Sequence, residues 1–239
     1  MLVSTHGIIA QSESGTPTFS NTKSILLDGV DDYVNCGNDS SLQITGELSL
    51  SAWVKVSAST SGANAIIAKD NLGSRCFDLF ANGSAGTPRL LIWNSNSAYG
   101  VNATTDIKDN LWHHVVGVFS PSNSLKIYVD GVLEGTNSTS IPSSIDNDSV
   151  NVTIGGILSS STIFFSYLGN IDEVSVFNSE LSASDITSIY NGGVPNDLAS
   201  LSPLSWWRFE GSGTTATDSG SGGNNGTLTN GVTRSTDVP

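Results

Sequence analysis

A chain of 239 residues is long enough for one all-β domain with a full core, and its 37% hydrophobic content is ordinary for a folded protein. Nine Lys+Arg against 22 Asp+Glu give a net charge of −13; with no basic clusters, this sets nucleic-acid binding aside. No apolar run approaches a membrane span and the first residues lack the charged-then-apolar pattern of a leader, so neither membrane insertion nor export by the general secretory route is expected.

Only 13% of residues are charged, and Ser, Thr, Asn and Gly fill the polar share. Such a makeup suits short strands and tight turns better than helices. Residues 1–22 read as an N-terminal arm, with one apolar patch at Ile8 and Ile9 before a Ser/Thr/Gly/Pro run. Ile25–Leu27 forms a first short strand, Asp28-Gly29 a turn and Tyr33-Val34 the return. Crowding Asp28, Asp31 and Asp32 is costly unless solvent or a cation relieves them, although Asp also serves as an ordinary turn residue that bonds its own backbone.

Leu48–Val56 alternates cleanly: Leu48, Leu50, Ala52, Val54 and Val56 take one face, and Ser49, Ser51, Trp53 and Lys55 the other. Strands follow at Ala65–Lys69, Cys76–Ala81, Leu90–Trp93 and Ala98–Val101, separated by Gly, Asn and Ser turns, the signature of a sandwich or barrel. A hairpin is predicted over Trp112–Val132, with Leu125, Ile127 and Val129 facing the core and Asp130-Gly131 turning the chain. His113 and His114, as strand neighbours, diverge and are expected to be structural. In the last strong strand, alternation predicts Ile171, Glu173, Ser175 and Phe177 on one side and Asp172, Val174 and Val176 on the other. One short helix is expected near 182–191, with Ser182 and Asp185 at capping-box spacing and Asn191-Gly192-Gly193 as its stop. Cys36 and Cys76 read more readily as two small strand residues than as a bridge.

Three stretches resemble one superfamily. "LDGVDDYV" from Leu27, "WHHV" followed by "LKIYVDGV" from Trp112, and "GNIDEVSVFNSELSASDITSIYNGG" from Gly169 are similar to the laminin-G-like and pentraxin-like domains of the concanavalin A-like lectins and glucanases. The resemblance implies an antiparallel jelly-roll β-sandwich over residues 23–199. It also makes residues 200–239 a displaced piece: "WWRFEGSGTTATDSGSGGNNGTLTNG" from Trp206 is similar to a segment with which family members open, so the order looks circularly permuted. That segment either closes its own sandwich or pairs with a neighbouring subunit.

The glucanases of the superfamily place two glutamates around an aspartate on one strand. Here Ser175 stands where the second glutamate is needed, and strict alternation would send Asp172 and Glu173 to opposite faces, so no catalytic residue is expected. The pentraxin calcium loop is not carried over either, because the matching GILSSSTIFFSYLGN has no Asp or Glu. The remaining cofactor expectation is a structural calcium ligated by Asp28 and Asp172. For a ligand, Trp53, Trp93 and Tyr99 are candidate sugar-stacking residues, since an aromatic face matches the apolar face of a pyranose.

These readings favour a non-catalytic recognition module. The arm and the lectin-like sandwich resemble small virion proteins of tailed bacteriophages, which implies a head-decoration or fibre protein on the virion surface, docked through Ile8 and Ile9, oligomeric, and able to touch host glycans. The alternative is a secreted, extracellular carbohydrate-binding module of a larger adhesin or enzyme; a hydrolase or lyase comes last.

Overall fold

The computed structural model describes residues 19–83 and 85–239. The expected docking residues Ile8 and Ile9 therefore lie outside the described residues. The first ten strands are β1 (Ser24–Asp28), β2 (Tyr33–Asn35), β3 (Leu48–Val56), β4 (Asn64–Asp70), β5 (Arg75–Asn82), β6 (Thr87–Asn94), β7 (Ser97–Asn102), β8 (His113–Ser120), β9 (Ser124–Val129) and β10 (Val132–Asn137). Then come β11 (Val152–Ile154), β12 (Ile157–Ser159), β13 (Thr162–Phe164), β14 (Leu168–Phe177), helix α1 (Ala183–Tyr190), β15 (Ser205–Trp207), β16 (Thr215–Ala216), β17 (Gly226–Thr229) and β18 (Thr233–Ser235).

Two antiparallel sheets face each other, as expected of a jelly-roll sandwich. Sheet A runs β10-β9-β8-β3-β14-β1-β18, with β15 also on β14; sheet B runs β16-β17-β2-β11-β4-β5-β6-β7. The predicted alternation holds in β3 and β9: Leu48, Leu50, Ala52, Val54 and Val56, with Leu125, Ile127 and Val129, all enter the core between the sheets. Full burial of one such side chain stabilises by about 1.5–3 kcal/mol relative to exposure.

The outer face of sheet A is not left to water. Helix α1 lies on it and buries Ile186 and Ile189 against Val116, Val118, Tyr128 and Phe177. The capping box forms, with the Asp185 amide donating to Ser182 Oγ and the Ser182 amide to Asp185, and Asn191 closes the helix in the left-handed region.

The C-terminal segment closes its own sandwich. Strand β17 pairs with β2, β18 with β1 and β15 with β14, so residues 205–235 contribute to both sheets. Trp207 is fully buried and its indole N–H donates to the Asn224 carbonyl at 2.7 Å. Both cysteines are buried and free.

Alternation fails in β14, and the failure has a local cause. The pairing of β14 with β3 shifts register between Asp172 and Ser175, and Glu173 takes φ +48°, left-handed. This is a β-bulge: one extra residue turns the rest of the strand over. Ile171, Val174 and Val176 therefore face the core, while Ser175 and Phe177 face out beside Asp172 and Glu173. The two acids share a face, contrary to the expectation from strict alternation. The bulge falls where the far edge of β14 passes from β1, paired with Leu168–Ile171, to β15, paired with Val174–Val176.

Candidate functional site

The built site lies on the outer face of sheet B. Along β5, Phe77, Leu79 and Ala81 enter the core, so Asp78, Phe80 and Asn82 face outward. In β6, Leu90 and Ile92 are core, so Arg89, Leu91 and Trp93 face outward beside them, with Asp78 opposite Leu91 and Phe80 opposite Arg89. Residues 157–164 form the hairpin β12–β13, which puts Ile157 against Ala65, Ala68, Phe80 and Leu91. Phe165 follows and meets Phe80 edge-on at 5.6 Å.

Together these side chains enclose a groove of about 160 Å³, with Phe80, Leu91, Ile157, Phe165 and Trp93 as apolar wall and Asp70, Asp78, Arg75 and Arg89 as polar groups. Pockets for drug-sized ligands run from about 300 Å³ upward, so this one has room for a single small ring or chain end. A wider cleft of about 380 Å³ between Tyr33, Leu158, Ile163 and Asn230 contains no buried polar atom lacking a partner among the described residues.

The polar groups of the groove are under electrostatic load. Asp78 is fully buried, and burial, then the neighbouring Asp70 charge, pushes its carboxyl well above the usual carboxylate range. Asp70 is also pushed up by burial, partly offset by the Leu72 amide and by Arg75. The Trp93 indole donates to Asp78 Oδ2 at 2.9 Å, but Oδ1 has no donor. Asp70, on the neighbouring strand β4, is close enough for its charge to add to the upward push on Asp78. Arg75 lies over the Trp93 ring at 4.5 Å and approaches Asp70 at 3.5 Å. Arg89 has a buried Nε without a partner.

Of the three expected stacking residues, only Trp93 is in this groove. Trp53 is 2% exposed on the opposite sheet, stacked on Tyr190 at 5.8 Å and tilted against His114, so it is a packing residue under α1. Tyr99 pairs with Ile92 and packs against the core, on the other side of sheet B from Trp93.

The two expected calcium ligands are apart. Asp28 stands opposite Leu168, four residues from Asp172, or roughly 13 Å at about 3.3 Å per residue. Asp28 instead groups with Asp31 and Asp32, whose ligand atoms lie within 4.8 Å of one another. Much of that trio is satisfied by backbone: Asp32 accepts from the amides of Asp28 and Gly231, and Asp28 from Val30.

Asp172 has a different neighbourhood. It is buried with Glu173 beneath residues 19–22, accepting from the Asn21 amide at 2.9 Å and from the Glu173 N–H at 2.8 Å. Burial, then the charge of Glu173, pushes it up to about 9. Burial raises Glu173 to about 7, although Arg208 at 3.3 Å and the Trp206 indole at 2.6 Å pull the other way. Arg208 in turn lies against the rings of Phe19 and Trp206, which stack on each other at 6.1 Å. The histidines separate as expected: His113 bonds Asp109 and Asp130, while His114 is buried beside Ser51 and driven down to about 3 by burial.

With the geometry in place, comparison identifies the family. The model of the Laminin_G_3 family, in the concanavalin A-like lectin/glucanases superfamily, matches residues 28–187, more than half of the chain. The chain belongs to this family. No curated protein matches the sequence. Among solved structures, a Bacteroides ovatus protein described as carbohydrate binding superposes with TM-score 0.69 and 19% identity over 91% of this chain, which spans 60% of that protein. The heptameric SAP-like pentraxin of Limulus polyphemus superposes with TM-score 0.59 and 15% identity, over 90% of this chain and 94% of the pentraxin. The CBM40 module of the Ruminococcus gnavus IT-sialidase, solved with α2,3-sialyllactose, gives TM-score 0.54 and 15% identity, over 72% of this chain and the whole module. At these identities the likeness is one of fold.

Sequence reasoning missed Asp70, Asp78, Arg75 and Arg89. A signal for one was present: Asp78 interrupts Cys76–Ala81, a strand otherwise free of charge, on the face opposite the core residues. A carboxylate mid-strand in a buried sheet calls for a partner.

Proposed function

We propose that this chain is a non-catalytic glycan-binding module and that the groove on the outer face of sheet B holds one sugar ring. The observation that carries this is the combination, in one small groove, of an aromatic and aliphatic wall with a buried carboxylate oxygen lacking a donor. Phe80 and Phe165 suit the apolar face of a pyranose, Trp93 holds Arg75 and Asp78 in place beside it, and Asp78 Oδ1 suits a hydroxyl. The fold neighbours described as carbohydrate binding support the same reading.

A hydrolase is disfavoured by how the carboxyls of the groove are engaged. Two-carboxylate hydrolysis needs an acid and a base or nucleophile acting on one bond, whereas Asp78 is held by the Trp93 indole and Asp70 by the Leu72 amide and Arg75. Asp172 and Glu173, although on one face, are covered by residues 19–22.

Titration calorimetry guided by a glycan array tests the proposal. Trp93→Ala should abolish binding of an array-positive glycan while leaving the cooperative melt in place. Unchanged affinity in that variant, or no glycan bound by the native chain, would refute it. Placement of the module on a virion surface, docked through the arm at Ile8 and Ile9, is proposed from the sequence resemblance alone, with an extracellular module as the alternative. Recovery of the chain in purified particles, and loss of attachment on deleting the arm, tests that placement.

A further inference from the structure

We infer that the ring held in this groove carries a carboxylate, so that the module selects an acidic sugar, uronic or sialic, over its neutral counterpart. The inference rests on the glycan-binding reading and adds the ligand class. Arg89 is the first reason. Among the described residues its guanidinium makes neither a hydrogen bond nor an ion pair, although the chain carries 22 acids to nine Lys and Arg. A buried guanidinium N–H left unmet is costly, and a carboxylate that accepts two parallel N–H bonds is its natural complement.

Arg75 is the second. It lies over the Trp93 ring and pairs with protein only through Nε, toward Asp70, so its terminal nitrogens remain available among the described residues. Pre-organised by the indole, it loses little freedom on gripping an anion.

The local charge count is the third. Fully ionised, Asp70 and Asp78 would cancel the two arginines. With Asp78 fully buried and burial favouring its neutral form, the two arginines outweigh the carboxylates beside them, inside a chain of net −13. The arginines then address the carboxylate of the ligand, and Asp78 Oδ1 accepts from one of its hydroxyls.

Calorimetry on the full chain compares methyl β-D-glucuronide with methyl β-D-glucoside, and 3′-sialyllactose with lactose. The acidic member of at least one pair should bind about tenfold tighter or more, the scale of a charge-assisted bidentate contact; the pair that responds tells uronic from sialic. Arg89→Gln should weaken the acidic member far more than the neutral one and so erase the preference, and Arg89→Lys should keep part of it. Equal binding of acidic and neutral members by the native chain, with Trp93→Ala still abolishing both, would overturn the acid preference and leave the module reading standing. No binding of any of the four would overturn the acid preference, and the module reading falls with it only if the glycan array is empty as well. The native-chain comparison decides even where an arginine variant fails to fold.

Discussion

Replacing Asp172 by Asn should change the pH dependence of stability in a defined direction. In the folded chain Asp172 ionises only near about 9, because it is buried beside Glu173, whereas unfolded it ionises at its ordinary value of 3.8. Between those values the native state holds a proton that the unfolded state does not, so stability falls as pH rises, by about 1.4 kcal/mol per pH unit for one proton. The contribution is fully present below the unfolded value and is lost as pH climbs through the folded one. Asp172→Asn keeps the volume and a neutral partner for Asn21 and removes the titration.

Other groups titrate in the same window. His114, driven down to about 3, destabilises the fold as pH falls below its ordinary range, and Glu173, raised to about 7, loses stabilisation as pH rises. Subtracting native from variant cancels the His114 contribution and leaves that of Asp172 with its effect on Glu173. Urea unfolding followed by tryptophan fluorescence at intervals from about pH 5.5 to 8.5 should show Asp172→Asn gaining on the native chain by roughly 2–4 kcal/mol across the range; the lower figure allows for ionised Glu173 taking up part of the repulsion. A constant difference between the two proteins would refute the buried, protonated Asp172, and a difference of opposite slope would mean that Asp172 is ionised and stabilised in the fold.

Three further outcomes follow from packing. Cys36 and Cys76 are buried thiols, Cys76 raised by burial to about 11, so neither should react with a thiol reagent until denaturant is added, and reductant should leave the melting temperature unchanged. Trp207→Ala empties a fully buried site in the closing strand and should cost roughly 3–5 kcal/mol by urea titration; a loss under about 1 kcal/mol would mean that β15 adds little to the core. Gly155 has φ +86° and a Cβ built on it would stand 2.1 Å from Leu27 Cδ2, so Gly155→Ala should cost roughly 2–4 kcal/mol, and a neutral result in the same titration would refute the close approach of β1 there.

Periodicity and turn chemistry are local, and they were readable in the chain itself. Leu48 to Val56 alternates on its own, Asp130-Gly131 turns without help, and Ser182 with Asp185 caps a helix whose bounds match the expected 182–191 within a residue or two. The sandwich class followed from these, because strands with one apolar face must bury it against another sheet. The candidate site was less legible. Trp93 was named in advance, but Trp53 and Tyr99, equally aromatic and equally on strands, were placed by packing under α1 and against the core.

What tertiary structure alone decided lies in contacts distant along the chain and in one departure from alternation. Asp70, Asp78, Arg89 and Trp93 come together because β4, β5 and β6 lie side by side with these residues on the outer face, and the hairpin after β11 returns to wall them in. The bulge at Glu173 depends on β14 exchanging β1 for β15 at that point, a change of partner that no window of β14 itself encodes. Alternation is a property of a strand; register, and with it which acids meet, is a property of its neighbours.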